Sequence, residues 1–348
     1  MNGPLLSCLY PLVQKHVTRA IAAGAVVSDR VETIFLGDAI DGLNRPPDED
    51  TLFEIGSITK TFTALLLADM SLRGEVALDD PIGAYLPEGV KTPRREDGRQ
   101  ITLLDLATHS AGLPNGPEGV DLSHPEGTFG TSDLEVEIGR YRIEEGIGQK
   151  ASCSTLGFGL LGHVLSLAAG RDFNDLVVER ICEPLGMGST RIRLSAQDLA
   201  RTATGHEEDG KPVLPEESLE GFLAASGIAG GGALRSTLAD MLAYLRAMLG
   251  PEDTPLTEAI RLALRPRIPF VHEGLEGRDM RIGLGWIIEK LDGRAQIWHN
   301  GGTLGYRSYM AFDPSAGVGV VVLSNTVRMR EPDEAGGRIM EALVQGTP

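Results

Sequence analysis

Cysteines, aromatic residues and long apolar runs are all scarce in this chain of 348 residues. The three cysteines, Cys8, Cys153 and Cys182, are an odd and sparse set, which is not the pattern of a disulfide framework. No apolar run approaches the length of a transmembrane helix, so we expect no membrane partner. Histidines and cysteines do not cluster at metal-ligand spacings, so we predict no metal and no cofactor.

Cations are also in short supply, because 32 lysines and arginines stand against 49 acidic residues and the net charge is −17. Nucleic acids and anionic membranes need cationic surfaces, so this charge argues against both as partners. Residues 1–17 have no cationic segment before their apolar residues and no small-residue cleavage site after them. We therefore read no signal peptide and expect a cytoplasmic protein. No feature of the sequence indicates the oligomeric state.

The order of predicted elements indicates a sheet built from both ends of the chain. Residues 5–23 read as a helix, and two short strands follow around a turn at Ser28 and Asp29. Strand patterns then return near the end, around a hairpin turn at Asp292 and Gly293. These late strands are predicted over 283–290, 295–299, 308–313 and 318–323. A helix over 331–345 closes the chain, and most of the segment between the two groups of strands has helical patterns.

From this order we predict an α/β part plus an all-α part. Residues 1–78 and 227–348 form the α/β domain, an antiparallel sheet flanked by helices, and residues 79–226 form an inserted helical domain. Glycines crowd residues 227–232, where we expect backbone to approach backbone or ligand closely. The loop over 115–133 and the segment over 205–225 are expected to wall a pocket.

The stretch from residue 53 to residue 63 carries a recognisable chemistry. Ser57 and Lys60 are three residues apart, so a helix that begins here places both side chains on one face. Apolar residues follow at spacings that suit a buried helix, and Gly74 marks its end. A serine beside an amine can become nucleophilic at neutral pH. The Ser-x-x-Lys pattern alone is short enough to occur by chance, so the rest of the chain has to support it.

Five stretches occur in an order and at spacings that are typical of one protein family. They are residues 51–60, 104–114, 183–187, 230–237 and 299–303. On these motifs the chain resembles the serine β-lactamase and penicillin-binding-protein superfamily. The resemblance is closest to its branch of class C β-lactamases, esterases, D-amino-acid peptidases and acyl transferases. It covers residues 25–344 and implies an α/β domain and an all-helical domain, with the active site in the cleft between them.

The resemblance implies roles for the matching residues. Ser57 would be the acylated nucleophile, and Lys60 would help to take its proton. His299 stands where the family has the lysine of its Lys-Thr-Gly motif, and backbone N–H groups of Ser57 and Gly302 would bind the oxyanion. The alternative for His299 is a hydrogen-bonded histidine at a strand end. The substrate is expected to contact Ser154, Thr155, Asn300, Gly301, Gly302 and Thr303.

The third motif of the family is altered in this chain. Counting back from the intact stretch over 156–162 places Cys153 where the family has tyrosine and Thr155 where it has asparagine. The tyrosine normally shares the base role and protonates the leaving group, and losing a general acid–base costs about 10²–10⁴ in rate. Thr155 has no amide to offer to a substrate carbonyl.

Three accounts of this change stay open. In the first, Lys60 is the base and the proton is relayed by Cys153 or by a hydroxyl of Ser152 or Ser154. In the second, the chemistry has been lost and the cleft binds a ligand or does nothing. In the third, the change was introduced to trap an acyl-enzyme. If Cys153 faces Lys60, its thiol pKa should fall and it should be modified readily. Otherwise Cys153 is a small buried residue at a helix entry.

We therefore predict a serine hydrolase that forms an acyl-enzyme on Ser57 with a small-molecule ester, amide or β-lactam. The expected cytoplasmic location argues against antibiotic resistance and cell-wall work, and it leaves esterase, amidase or acyl transferase activity. The alternatives are an acyl transferase of biosynthesis and a catalytically impaired homologue that binds a ligand.

Overall fold

A computed structural model describes residues 2–93, 98–120, 129–143, 147–213, 227–250, 253–271, 275–326 and 330–346. The strands of this part are β1 Ala20–Val27, β2 Arg30–Gly37, β3 Leu52–Glu54, β4 Arg235–Thr237, β5 Ile268–Pro269, β6 Met280–Ile282, β7 Ile287–Leu291, β8 Arg294–Gly302, β9 Arg307–Asp313 and β10 Val318–Ser324. Its α-helices are α1 Asn2–Gln14, α2 Thr59–Leu72, α3 Leu103–Ala107, α4 Thr131–Ile138, α5 Thr155–Ala169, α6 Phe173–Val177, α7 Ala196–Ala200, α8 Leu238–Leu249, α9 Thr257–Ala263 and α10 Glu331–Gln345.

The main sheet joins the two ends of the chain, as the order of predicted strands indicated. Its strand order is β2-β1-β10-β9-β8-β7-β6-β5, and neighbouring strands pair antiparallel. The first strand thus pairs with the last one, since Ala23 of β1 lies opposite Val322 of β10, and β2 extends the sheet beyond β1. The short strands β3 and β4 form a separate two-stranded sheet, and β3 leads along the chain into α2. The prediction of an antiparallel sheet flanked by helices is confirmed.

Two apolar layers hold helices against the sheet. On one face, α1 and α10 pack through buried residues such as Leu9 and Ile339. On the other face, α2, α5 and α8 form the larger core, in which Phe62 of α2 stacks on Tyr244 of α8 with ring centroids 4.2 Å apart. Because α2 is buried along nearly its whole length, the residues at its first turn have fixed positions.

The prediction of a helix over residues 5–23 is wrong beyond Gln14. Residues 20–27 are strand β1, which lies between β2 and β10 and is almost entirely buried. A strand that is covered on both faces loses the alternation of apolar and polar residues, so periodicity cannot separate it from a buried helix. The turn at Ser28 and the hairpin at Asp292 and Gly293 are as predicted.

Other predictions have mixed outcomes. The helix over 331–345 is α10, and the late strands are β7 to β10, although β7 begins at Ile287 rather than at 283. Parts of the two segments expected to wall a pocket, 121–128 and 214–226, lie outside the described residues. The domain boundaries at 78/79 and 226/227 stay predictions. Over the described ranges, no helix combines the length and apolar character needed to cross a membrane.

Candidate active site

Ser57 lies in a single 3₁₀ turn, Gly56–Ile58, that joins β3 to α2. Gly56 has φ +49°, a left-handed conformation that glycine adopts without strain. A Cβ at this position would also come within 2.8 Å of the backbone N of Gly302 on β8. The turn therefore needs glycine for two reasons, and it places the half-buried Ser57 against the end of β8.

Lys60 lies one turn further along, on the first turn of α2. Its Nζ is 2.6 Å from Ser57 Oγ and donates a second hydrogen bond of 2.6 Å to the carbonyl oxygen of Gly231. Burial lowers the pKa of Lys60 to about 8, and interaction with the Cys153 thiol partly opposes this shift. About a tenth of this amine is therefore neutral at pH 7, and a neutral amine can accept the proton of the serine hydroxyl.

The glycine-dense segment brings a backbone carbonyl to Lys60. Ala229–Gly231 is a 3₁₀ turn between α2 and α5, and a Cβ on Gly231 would lie 2.6 Å from the carbonyl oxygen of Thr155. A Cβ on Gly230 would similarly lie 2.8 Å from the carbonyl oxygen of Phe158. The prediction of a close backbone approach over residues 227–232 is therefore confirmed.

The end of β8 supplies a backbone donor beside Ser57. Thr303 N–H donates to Tyr306 O, so the alternating ladder with β9 turns the N–H of Gly302 away from β9. Strand β7 pairs with β8 only as far as Trp298, so it does not cover this donor. A Cβ on Gly301 would lie 2.1 Å from the carbonyl oxygen of Ile55, and glycine is therefore required where β8 meets the turn that holds the serine.

His299 is buried on β8, two residues before Gly301 on the same face of the sheet. Its Nδ1 is 2.6 Å from the carbonyl oxygen of Asn300, and because a carbonyl only accepts, Nδ1 carries the proton. Burial, helped by the charges of Lys60 and Arg307, lowers the pKa of His299 to about 3. His299 is therefore neutral at physiological pH, and its Nε2 lone pair can accept a hydrogen bond.

Cys153 lies in the loop just before α5. The residue is exposed, yet protein atoms around the thiol desolvate it and raise its pKa, while the charge of Lys60 and a backbone hydrogen bond act in the opposite direction. The electrostatic influence that each group has on the pKa of the other indicates that the thiol lies in the neighbourhood of the lysine. Cys153 therefore differs from both sequence alternatives, because its residue is not buried and its pKa is raised rather than lowered.

The two residues after Cys153 are engaged in the start of α5. Ser154 caps the helix, since its Oγ accepts from Gly157 N–H at 2.8 Å and donates to Pro114 O at 2.5 Å. Thr155 donates from N–H and from Oγ1 to Asn115 Oδ1, each at 3.2 Å. The hydroxyl of Ser154 is thus engaged in the helix cap, whereas the thiol of Cys153 influences the pKa of Lys60.

His109 is a site residue that the sequence reasoning missed. It holds the Cys153 loop at two points, because its carbonyl oxygen accepts from Ser152 N–H at 2.8 Å and its Nδ1 accepts from Ser154 N–H at 3.1 Å. Burial and the charges of Lys60 and His299 hold the pKa of His109 well below its usual range. A signal was present, since His109 belongs to a motif quoted for the resemblance, but nothing local shows that its ring reaches residues 45 positions away.

The remaining predicted residues lie around Gly302. Asn300 points to the opposite face of the sheet and donates from Nδ2 to Asp333 Oδ2 of α10 at 2.6 Å. Thr303 is buried beyond the end of β8, and its Oγ1 has no hydrogen-bond partner within the described residues. Arg307 and Asp333 were not predicted, and they form an ion pair next to Asn300.

No group of three histidine, cysteine or acidic side chains within the described ranges is arranged to hold a metal ion. The expectation of a protein without metal or cofactor stays a prediction.

Comparison with known proteins identifies the family of this chain. The family described as Beta-lactamase matches residues 11–344, which is nearly the whole chain. The chain belongs to the beta-lactamase family. Among curated relatives, a beta-lactamase of Pseudomonas fluorescens is 26% identical over 92% of each chain. The D-alanyl-D-alanine-carboxypeptidase/endopeptidase AmpH of Escherichia coli K12 is 28% identical over 87% of this chain and 79% of its own.

Solved structures of the beta-lactamase family share the fold. A D-alanine carboxypeptidase AmpC from Burkholderia cenocepacia superposes with a TM-score of 0.81 at 26% identity, over 98% of each chain. A beta-lactamase/D-alanine carboxypeptidase from Yersinia pestis gives the same score at 24% identity, over 99% of each chain. The beta-lactamase/transpeptidase-like fold and the kinship with serine hydrolases that were expected from the motifs are therefore confirmed.

Proposed function

We propose that this protein is a serine hydrolase that forms an acyl-enzyme on Ser57 with a small ester or amide substrate. The observation that carries the proposal is the 2.6 Å approach of Lys60 Nζ to Ser57 Oγ, together with the lowered pKa of that lysine. Kinship with beta-lactamases and D-alanyl-D-alanine carboxypeptidases supports the reaction class. The cytoplasmic location expected from the sequence stays a prediction.

The proposed chemistry begins with the transfer of the Ser57 hydroxyl proton to the neutral amine of Lys60. The serine oxygen attacks the substrate carbonyl, and the developing oxyanion accepts hydrogen bonds from the N–H groups of Ser57 and Gly302. In sites of this kind such a donor contributes about 3–4 kcal/mol. Collapse of the tetrahedral intermediate breaks the bond to the leaving group, which takes a proton from Lys60 or, through it, from the Cys153 thiol.

Hydrolysis then reverses these proton transfers. Water attacks the acyl group on Ser57, gives its proton to Lys60, and the carboxylic acid leaves as the serine hydroxyl is restored. An alcohol or amine in place of water makes the reaction an acyl transfer. The proposal is for hydrolysis, and acyl transfer is tested by adding acceptor alcohols to the same assay.

Intact-mass measurement after incubation with p-nitrophenyl esters and with a penicillin tests the proposal. We expect an adduct with the mass of the acyl group, which Ser57→Ala abolishes. Ser71→Ala is the matched control, because Ser71 lies near the far end of the same helix. If no adduct forms at any pH and a phosphonate also leaves Ser57 unmodified, the protein is a binding homologue and the proposal is wrong.

A further inference from the structure

A second polar cluster lies on the face of β8 that points away from Ser57. Successive residues of a strand point to opposite faces, so His299 and Gly301 face the serine whereas Asn300 and Gly302 face α10. On that side Arg307 Nε donates to Asp333 Oδ1 at 3.0 Å, and its Nη2 contacts Asp333 Oδ2. Asn300 Nδ2 donates to the same Oδ2 at 2.6 Å.

This cluster is one residue away from the reacting centre. A Cβ on Gly302 would lie 2.8 Å from Arg307 Nη1, so the guanidinium lies directly over this glycine. The N–H of Gly302 is the proposed oxyanion donor, and its backbone N is equally close to a Cβ position on Gly56, next to the nucleophile. Arg307 also contributes to the lowered pKa of His299, as expected of a cation near the site.

The positive charge of Arg307 is neutralised by the adjacent carboxylate of Asp333. The side chains of Arg307 and Asp333 are each about 15% exposed, and the two carboxylate oxygens between them receive both guanidinium donors and the Asn300 amide. His299 is neutral as well, and Lys60 is buried against Ser57 and Gly231. A substrate group that extends past Gly302 toward α10 therefore meets a compensated ion pair.

We propose that Asp333 is a specificity-determining residue, which cancels the charge of Arg307 and makes the site select substrates whose leaving group is uncharged. An anionic leaving group placed beside Gly302 would lose part of its hydration and gain little in return from Arg307, because Asp333 already compensates that charge. The selected substrates are thus neutral esters or amides, and molecules with a carboxylate on the leaving-group side are disfavoured. This inference rests on the proposed acylation of Ser57.

Two esters of one carboxylic acid test the inference, a phenyl ester and its 3-carboxyphenyl counterpart. The measured quantity is the ratio of kcat/KM for the anionic ester to kcat/KM for the neutral one. Asp333→Asn frees the charge of Arg307, and we expect the ratio to rise about tenfold, as for a hydrogen bond to a charged group. Arg307→Gln leaves the carboxylate unopposed, and we expect the ratio to fall by a similar factor.

Glu334→Gln is the matched control, because it removes one negative charge from the next, exposed residue of α10. It should leave the ratio unchanged, and the changes caused by the two test variants should shrink in 0.5 M salt. An equal change for both esters in both variants, or an equal rise in the ratio with Glu334→Gln, would overturn the role of Asp333. Intact mass separates the two proposals, since acylation of Ser57 by the neutral ester with an unaltered ratio contradicts only this one. Absence of any adduct contradicts both.

Discussion

The two sides of Lys60 differ in how completely they are built. On the nucleophile side, defined here by Ser57, Gly231 and Gly301, short hydrogen bonds and glycine-only contacts fix each group. On the relay side, defined by Cys153 and Thr155, the motif resemblance predicts tyrosine and asparagine instead, and the cysteine is exposed. One half of the site thus has the contacts on which the proposed acylation rests, while the other half carries the predicted change of motif.

The relay side is nevertheless an ordered structure. His109 holds its backbone at two points, and Ser154 uses its hydroxyl to cap α5. The thiol of Cys153, with its raised pKa, resembles the phenol that the family places there more than a serine hydroxyl does, because thiols and phenols titrate in neighbouring ranges. The comparison therefore favours a site in which the Cys153 thiol relays the proton over a site that has no relay group. The following substitutions test each side.

The largest effect is expected on the nucleophile side, from Lys60→Met. Lys60→Met removes the amine that lies 2.6 Å from the serine hydroxyl, and acylation by a p-nitrophenyl ester should slow by about 10⁴-fold. Stopped-flow release of p-nitrophenol measures this rate. Lys290→Met, an exposed lysine at the end of β7, is the control and should react normally. A loss below tenfold would contradict the role of Lys60 as the base.

Two neighbouring glycines allow a sharper test of the same side. In Gly301→Ala the new methyl group would meet the backbone of Ile55 at 2.1 Å, whereas in Gly302→Ala it would meet the mobile end of Arg307 at 2.8 Å. We expect the first variant to lose about 10³-fold in kcat/KM through a displaced oxyanion site, and the second to lose much less. Circular dichroism checks that both fold, and similar losses would contradict the assigned faces of β8.

On the relay side, Cys153→Ala should reduce kcat/KM about 10²-fold, the lower end of the range for a missing acid–base group. Cys153→Tyr restores the residue type of the family and should recover part of the loss. Cys182→Ala is the control, because Cys182 is a second cysteine that is buried within the larger apolar core. An unchanged rate in Cys153→Ala would show that the thiol takes no part in proton transfer. Lys60 would then both accept the proton of the serine hydroxyl and protonate the leaving group.

The pH dependence follows from the lowered pKa of Lys60. The base is the neutral amine, so the acylation rate should rise about tenfold per pH unit below a pKa near 8 and level off above it. His299, with its pKa near 3, stays neutral throughout the range from pH 5 to 9 and adds no step. A rate that falls as the pH is raised through 8 would mean that the charged ammonium is the active form.

The smallest effect is expected from His109→Ala, which removes the acceptor of Ser154 N–H. Losing a hydrogen bond of this kind costs about 1–3 kcal/mol. The loss should shift the position of the Cys153 loop without changing which groups transfer protons. We expect kcat/KM to fall by a factor of about five with the pH profile unchanged, and His109→Asn to recover part of it. A shift of the profile would instead place His109 in the proton pathway.

Local pattern sufficed to predict much of the structure. The Ser57–Lys60 spacing, the close approach of the 227–232 glycines and the hairpin at Asp292 depend on contacts or conformations that short stretches encode. The wrong helix over residues 15–23 has a physical cause, since α1 covers one face of β1 and α8 the other, so its residues do not alternate between apolar and polar. A strand of this kind is identified only when the pairing is known.

The sequence by itself determined the serine and lysine, their spacing, and the presence of Cys153 where the motif resemblance predicts tyrosine. Tertiary structure alone decided the state of those groups. Burial of Lys60 against Gly231, 171 residues away, sets its pKa, and His109 holds a loop that lies 45 residues along the chain. The pairing of Arg307 with Asp333 is likewise set by the packing of α10 on the sheet. Such properties depend on desolvation and on distant partners, which no local pattern specifies.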